Sequence, residues 1–146
     1  MNDSILQSIK KLLGLDTTYT DFDQDIIIHI NSVFMILRQL GVGPAEGYKI
    51  TSVSNVWSEF TSDDIFIESV KSYVYLKVRM LFDPPTNSAL IQAVQTQISE
   101  LEWRLCEVSL EKRIEETLSE DSDDEDEYDE WYDDDDFETL TDNFLD

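Results

Sequence analysis

Apolar residues recur at intervals of three and four positions in four segments of the chain, which is the spacing of one face of an α-helix. The first segment, residues 3–14, begins with Asp3 or Ser4 as N-cap and ends at a glycine. The pattern places four side chains on its apolar face, namely Ile5, Ile9, Leu12 and Leu13. The second segment, residues 21–41, contains a run of isoleucines that could form a strand, but the continued period favours a helix.

Residues 41–63 interrupt the helical pattern with three glycines and a proline. Weak alternation through Tyr48, Ile50 and Val53 is compatible with a short strand or hairpin inside a long loop. Loops of this length in a compact domain are uncommon and are more often functional than idle. We expect this loop to be less protected than the helices and to become ordered on assembly.

The third segment begins at a capping box of Thr61 and Asp64 and continues to about Phe82. It is followed by Asp83, Pro84 and Pro85. A proline disfavours the helical backbone conformation of the residue before it, so these residues predict the end of the helix and a sharp turn. We interpret these three residues as a rigid joint between two helices.

The fourth segment is capped by Asn87 or Ser88 and carries a heptad-like apolar seam. The seam consists of Ile91, Val94, Ile98, Leu101, Leu105 and Val108. A helix that continued to Leu118 would be about 46 Å long. That length predicts an exposed far half, in which Leu101, Leu105 and Val108 contact a neighbouring subunit or another protein. Trp103 lies off the seam, where it either covers neighbouring helices or contributes to the same interface.

These elements together predict an all-α fold, a small bundle of about four helices with a long C-terminal helix, one long loop and an acidic tail. The net charge is −23 and is divided unevenly. Residues 1–113 contain all 10 Lys and Arg and 15 of the Asp and Glu, which gives −5, whereas residues 114–146 contain the remaining 18 acids, which gives −18. We therefore assign residues 1–113 to a helical body and residues 114–146 to an acidic tail.

The charge distribution excludes nucleic-acid binding by neutralisation of phosphates, because that mode requires clustered Lys and Arg. The single cysteine, Cys106, excludes an intrachain disulfide and suits a reducing cytoplasm. The N-terminus lacks the pattern of a signal peptide, and no run of residues is apolar enough to suggest a membrane span.

Motifs for catalysis or cofactor binding are weak throughout the chain. Gly41, Gly43 and Gly47 miss the spacing of a dinucleotide-binding loop and follow a helix where that motif follows a strand. His29 sits in an apolar helical segment, which is typical of a core or boundary histidine. The acidic run contains no glycine where an EF-hand loop needs one. We expect no enzyme activity and no catalytic, cofactor or metal site.

The acidic tail also contains apolar side chains that a purely solvating tail does not need. Those expected to anchor it to a partner are Tyr128, Trp131, Tyr132, Phe137, Phe144 and Leu145. Charge runs of this kind are commonly disordered and solvating, which is the alternative interpretation.

The chain contains the segments "LLGL", "DIIIHINSVFMILRQLGVGP" and "VSNVWSEF" in this order, followed by "YLKVRMLFDPPT" and "ELEWRL". In these segments, and most specifically in the last two, the chain resembles the head-tail connector (adaptor) proteins of tailed double-stranded DNA bacteriophages. The resemblance covers about residues 1–105, and the acidic tail departs from it. It implies a homo-oligomeric ring, expected to be a dodecamer, that lies under the portal protein in the neck of the virion. Assembly would take place in the host cytoplasm.

The resemblance further implies that double-stranded DNA passes through the ring without specific binding and that the ring recruits a tail-completion or stopper protein. It gives the joint at Asp83, Pro84 and Pro85 a purpose, because angular errors between helices would accumulate around a closed ring. The tail would dock on the portal, outside the DNA channel. The competing hypothesis is an acidic regulatory protein, either a DNA mimic or a transcription-factor-binding module.

Overall fold

The computed structural model describes residues 3–122, and the exposure of side chains is described for residues 3–120. Four α-helices form in this range, and they are α1 (Ile5–Leu12), α2 (Asp23–Gln39), α3 (Asp64–Phe82) and α4 (Ser88–Ser122). Trp57–Glu59 adds one turn of 3₁₀ helix. No strand forms within the described range, where pairing is limited to an isolated antiparallel bridge between Ser4 and Val56. The prediction of an all-α bundle is confirmed.

The start of α3 differs from the predicted capping box. Asp63, not Thr61, is the N-cap, and its carboxylate accepts hydrogen bonds from the backbone N–H groups of Ile65 and Phe66 at 3.1 and 2.9 Å. The hydroxyl of Thr61 instead accepts from the N–H of Asp63. An aspartate cap satisfies two otherwise unpaired helix donors, which a threonine at residue 61 is placed too far back to do.

The hydrophobic core forms where α1, α2 and α3 pack together, with one side of α4 and the loop after α2 closing it. Its largest fully buried apolar side chains are Trp57, Tyr73 and Phe34. The first helix departs from its predicted face, because Leu12 is 49% exposed whereas Lys10 is 1% exposed. Leu6, which the predicted face also left out, is 1% exposed, so the amphipathic pattern located the helix correctly but misassigned three of its side chains.

The loop of residues 41–63 is packed against the core and forms no hairpin. Ile50, Trp57 and Phe60 are buried, and the rings of Phe34 and Phe60 stack with centroids 5.0 Å apart. The side-chain amide of Asn31 holds the loop by donating to the carbonyl of Ile50 at 2.9 Å and accepting from its N–H at 2.8 Å. Since these contacts are made within one chain, the expectation that the loop becomes ordered on assembly is wrong, and its lower protection relative to the helices stays a prediction.

The described contacts divide the chain into two compact units, Met1–Glu111 and Lys112–Asp146. The first unit contains every residue of the described hydrophobic core. In the second unit, the described apolar side chains Ile114 and Leu118 are exposed. The assignment of residues 1–113 and 114–146 to a body and a tail stays a prediction.

Candidate assembly surfaces

One side of α4 belongs to the core of the chain's own body. Val94, Ile98 and Leu105 are buried there, while Leu101 and Val108 are half-buried. The prediction of an exposed seam is therefore wrong for Leu105, which is 1% exposed. The body covers more of α4 than the pattern indicated, because the chain at the end of α2 packs against it.

That contact at the end of α2 is a hydrogen bond from a side chain to the backbone. The hydroxyl of Ser109, which is itself buried, donates to the carbonyl of Gly41 at 2.6 Å. Carbonyls at the end of a helix lack partners within the helix, so Ser109 satisfies a group that would otherwise need water. This bond ties α4 to the body one turn beyond Leu105.

A second polar contact fixes α4 to α3. The hydroxyl of Tyr73 donates to a carboxylate oxygen of Glu102 at 2.6 Å, and the ammonium of Lys77 lies 3.4 Å from the same oxygen. Burial of the Tyr73 ring, with the hydrogen bond to Glu102 as the next cause, raises the pKa of this tyrosine well above its ordinary value. The tyrosine therefore stays protonated, as a donor to Glu102 must.

The opposite side of α4 carries a second set of apolar residues that the core does not use. Trp103 is 64% exposed and Leu110 is 45% exposed. The interval of seven residues puts both on the same side of the helix, about half a turn away from Leu101 and Leu105. Trp103 is therefore not a cover over the neighbouring helices of the described chain.

Farther along α4, the exposed residues Ile114 and Leu118 follow Leu110 at intervals of four. Sequence reasoning overlooked these residues and Leu110, since it followed only the seam that begins at Ile91. The same spacing rule, applied from Trp103 onwards, would have found them.

The helix joint lies where the sequence placed it. Asp83 ends α3, and its N–H donates to the carbonyl of Arg79 at 2.9 Å. Pro84 and Pro85 follow, and Asn87 caps α4 by accepting a hydrogen bond from the N–H of Ala89 at 2.9 Å. Both helix ends at the joint are thus closed by local bonds, and the angle-fixing role of the prolines stays a prediction.

The side chains expected to anchor the tail lie outside the described residues. These are Tyr128, Trp131, Tyr132, Phe137, Phe144 and Leu145. Within residues 3–122, no group of three or more His, Cys, Asp and Glu is arranged to hold a metal ion. None of the helices in that range is long and apolar enough to cross a bilayer.

Comparison with known proteins places this arrangement in a family. Residues 5–112 match the model of the family described as phage connector protein. The chain belongs to the phage connector protein family. The match runs through the core and the first part of α4, including Trp103 and Leu110, and stops before Ile114. No curated protein and no solved structure matches this connector.

Membership of the family makes this connector a structural component of a phage virion that assembles with other virion proteins. A component of this kind acts through the surfaces it offers to neighbours. Exposed apolar side chains on a regular element are therefore the features that bear most directly on its function.

Proposed function

We propose that the connector forms a homo-oligomeric ring, a dodecamer in our expectation, that docks under the portal protein in the neck of the virion. The ring extends the DNA channel and recruits the next tail-completion or stopper protein. It is assembled in the host cytoplasm and acts by assembly, not by catalysis. The observation that supports this proposal most is the exposed apolar side of α4 at Trp103 and Leu110.

An exposed tryptophan on a rigid helix is well suited to a protein interface. Tryptophan is enriched among the residues that dominate binding energies, and it loses little conformational entropy when it is buried. Leu110, on the same side of α4, enlarges the apolar area around it. We assign this side of α4 to contact with a neighbouring subunit or the portal, whereas Leu101 and Val108 lie on the opposite, core-facing side of the helix.

Passage of DNA without specific binding agrees with the charge of the body. Residues 1–113 contain 10 basic and 15 acidic side chains, a net charge of −5. A mildly acidic channel keeps the phosphate backbone from adhering, whereas neutralising contacts would hold the DNA in place. The DNA therefore slides through the ring and is not recognised by it.

Substitution of one exposed side chain tests the assembly role of α4. We expect Trp103→Ser to leave the fold unchanged and to reduce ring formation, alone or on purified portal, at least tenfold, as seen by negative-stain microscopy and mass photometry. Leu90→Ser is the matched control, because Leu90 is similarly exposed near the start of α4 but faces another direction. Leu105→Ser is unsuitable, since it would damage the core.

The oligomeric state of the wild-type connector tests the proposal as a whole. A chain that stays monomeric both alone and with purified portal would contradict it. Binding of that monomer to basic proteins in a salt-sensitive manner would then support the acidic regulatory protein. If wild type and Trp103→Ser form rings equally well, the proposal of a ring stands, but the assignment of this side of α4 to an interface is overturned.

We also propose that the acidic tail docks on the portal, outside the DNA channel. Its aromatic residues, including Trp131 and Phe144, supply apolar anchors, and its acids favour encounter with a basic surface. An exterior path is favoured because a channel filled with polyanionic tails would repel DNA far more than passage requires.

Two variants of the tail separate its anchors from its charge. A chain truncated after Ser122 should bind purified portal at least tenfold more weakly at low salt. A full-length chain with Trp131→Ser and Phe144→Ser keeps every charge and should lose most of the same affinity. Unchanged portal affinity of both variants would remove the docking proposal.

A further inference from the structure

Two surfaces of opposite charge lie at the two ends of α2. The first, which we call the acidic-aromatic surface, consists of Asp16, Tyr19, Asp21, Phe22 and Asp25. All five side chains are exposed, including both aromatic rings. Among the described residues, none of the ion pairs involves Asp16, Asp21 or Asp25. The carboxylates of Asp16 and Asp21 accept hydrogen bonds from Thr18 and Tyr19, and among the described residues no Lys or Arg nitrogen lies within 4 Å of the three carboxylates.

A buried lysine holds this surface in place from beneath. The ammonium of Lys10 donates to the carbonyls of Thr17 and Tyr19 at 3.3 and 2.5 Å and to the carboxylate of Asp23 at 2.6 Å. These three bonds fix the loop between α1 and α2 from the core side. The exposed acids and rings are thus presented in one arrangement, which reduces the entropy lost when they bind.

The second surface, which we call the basic groove, lies at the other end of α2 and has a volume of about 320 Å³. Arg38 and Lys49 line it and are both exposed, as is Met35. None of the ion pairs in the described range involves either of these two cations. One acid, Glu46, also lines the groove, so its net charge is +1 by residue count.

The backbone of the groove is shaped around Arg38. Gly47 has a φ of 90°, and a Cβ atom at that position would lie 3.0 Å from the Cδ atom of Arg38. Because glycine has no Cβ atom, the side chain of Arg38 can occupy the space beside it. Together with the half-buried Tyr48 ring and Met35, the groove combines positive charge with apolar contact area.

The two surfaces match each other in chemistry but cannot meet within one copy. α2 has 17 residues, so its ends lie about 25 Å apart. A contact between the two surfaces therefore has to join two different copies. Repeated head-to-tail contacts of this kind close into a ring when the rotation between copies allows it.

We propose that the acidic-aromatic surface of one copy docks in the basic groove of the next, so that each subunit contact of the connector includes this pair of surfaces. The proposal rests on the ring of the proposed function and names the residues that join its members. Asp21 and Asp25 face Arg38 and Lys49 across the contact, and Tyr19 and Phe22 pack on Met35. The charges select partner and orientation, while the rings supply buried apolar area.

Reciprocal charge reversal in the full-length chain tests the contact. One variant carries Arg38→Glu and Lys49→Glu, which makes both of its surfaces acidic. The other carries Asp21→Lys and Asp25→Lys, which makes both of its surfaces basic at these positions. Sedimentation velocity measures the size of the assemblies. The salt concentration is about 150 mM, at which charges farther apart than about 8 Å are largely screened from one another. Thermal unfolding followed by circular dichroism confirms that each variant is folded.

We expect each variant alone to stay monomeric and a one-to-one mixture to form assemblies larger than a dimer, because the two kinds of copy can alternate. Lys11→Glu with Arg104→Glu is the control, since it changes the net charge as much as the first variant does, at exposed positions outside both surfaces. This control should assemble like wild type.

The outcomes separate this proposal from the proposed function. If wild type and both variants assemble alike, the ring stands and this contact is overturned. If the mixture gives only dimers, or fails to assemble at all, the head-to-tail arrangement is overturned. If the wild-type connector itself never assembles, alone or on the portal, the ring and the contact both fall.

Discussion

Lys10 shows how a single buried charge can determine the shape of a functional loop. The three acceptors of its ammonium would lose their partner in a Lys10→Met variant, leaving two carbonyls in part-buried positions and a carboxylate whose side chain is 21% exposed. Breaking a buried ion pair from one side costs about 3 kcal/mol. We expect a loss of about that size in the free energy of unfolding, measured by urea titration.

The neighbouring lysine provides the control for this prediction. Lys11 is exposed and forms none of the ion pairs in the described range, so Lys11→Met should change the free energy of unfolding by less than about 0.5 kcal/mol. Equal effects of the two substitutions would mean that the bonds of Lys10 contribute little. A pattern of apolar spacing could not distinguish these lysines, because it contains no information on where backbone carbonyls converge.

At the scale of elements, the sequence predicted the helices well and the surfaces of α4 poorly. The seam through Ile98 and Leu105 predicted the helix and its core side, since helical spacing is a local property. How far the body covers that seam depends on the end of α2, which reaches α4 through Ser109 from a distant part of the chain. Spacing alone therefore assigned Leu105 to a partner and overlooked Leu110 on the other side.

The loop of residues 41–63 illustrates the same limit. Its glycines and polar residues correctly excluded a regular helix. Its attachment depends on Asn31, which lies in α2 and bonds to Ile50 through its side chain. No periodic pattern signals a single amide that pairs with a backbone 19 residues away, so the pattern indicated a long loop with a short strand or hairpin and missed its attachment to the core.

The contact between α3 and α4 predicts a loss of stability at alkaline pH. The pKa of Tyr73 is raised in the folded state by burial and by its bond to Glu102, so folding resists its ionisation. The stability it contributes is complete below the unfolded pKa of about 10 and is lost as the pH rises above that value, by about 1.4 kcal/mol per pH unit. Tyr73→Phe removes this ionisation.

Urea titrations between pH 9 and pH 11 would check the sign and the slope. We expect wild type to be more stable than Tyr73→Phe at pH 9, by about 1 kcal/mol for the lost hydrogen bond, and this advantage to shrink steadily above pH 10. Parallel stability curves for the two proteins across that range would contradict the assignment.

Substitution of the prolines in the joint between α3 and α4 should affect closure of the ring more than folding of the chain. Replacing Pro84 and Pro85 with alanine adds freedom to the unfolded chain, which lowers stability by about 0.4–1 kcal/mol for each proline. The larger effect should be a mixture of closed rings and open arcs under the electron microscope. Pro44→Ala, in the packed loop outside the joint, serves as control and should give wild-type rings; arcs at the same frequency in the control would contradict the role of the joint.

At the scale of the whole molecule, charge opposes the assembly that the proposed contact favours. Each copy carries a net charge of −23, and residues 123–146 contribute 14 acids and no base to it. Truncation after Ser122 therefore changes the net charge to −9 by count. Every residue of the described core lies between Ile5 and Leu105, so the truncated chain should keep the free energy of unfolding of the full chain.

The same truncation should reverse the response of assembly to salt. Copies of the full chain repel one another over the Debye length, which shortens from about 30 Å at 0.01 M to about 10 Å at 0.1 M salt. Added salt in this range should therefore promote assembly of the full chain. In the truncated chain the short-range attraction between the acidic-aromatic surface and the basic groove weighs more, so added salt should weaken assembly. Sedimentation velocity at the two salt concentrations measures both trends, and salt responses of the same sign in the two proteins would contradict this division of charge between tail and body.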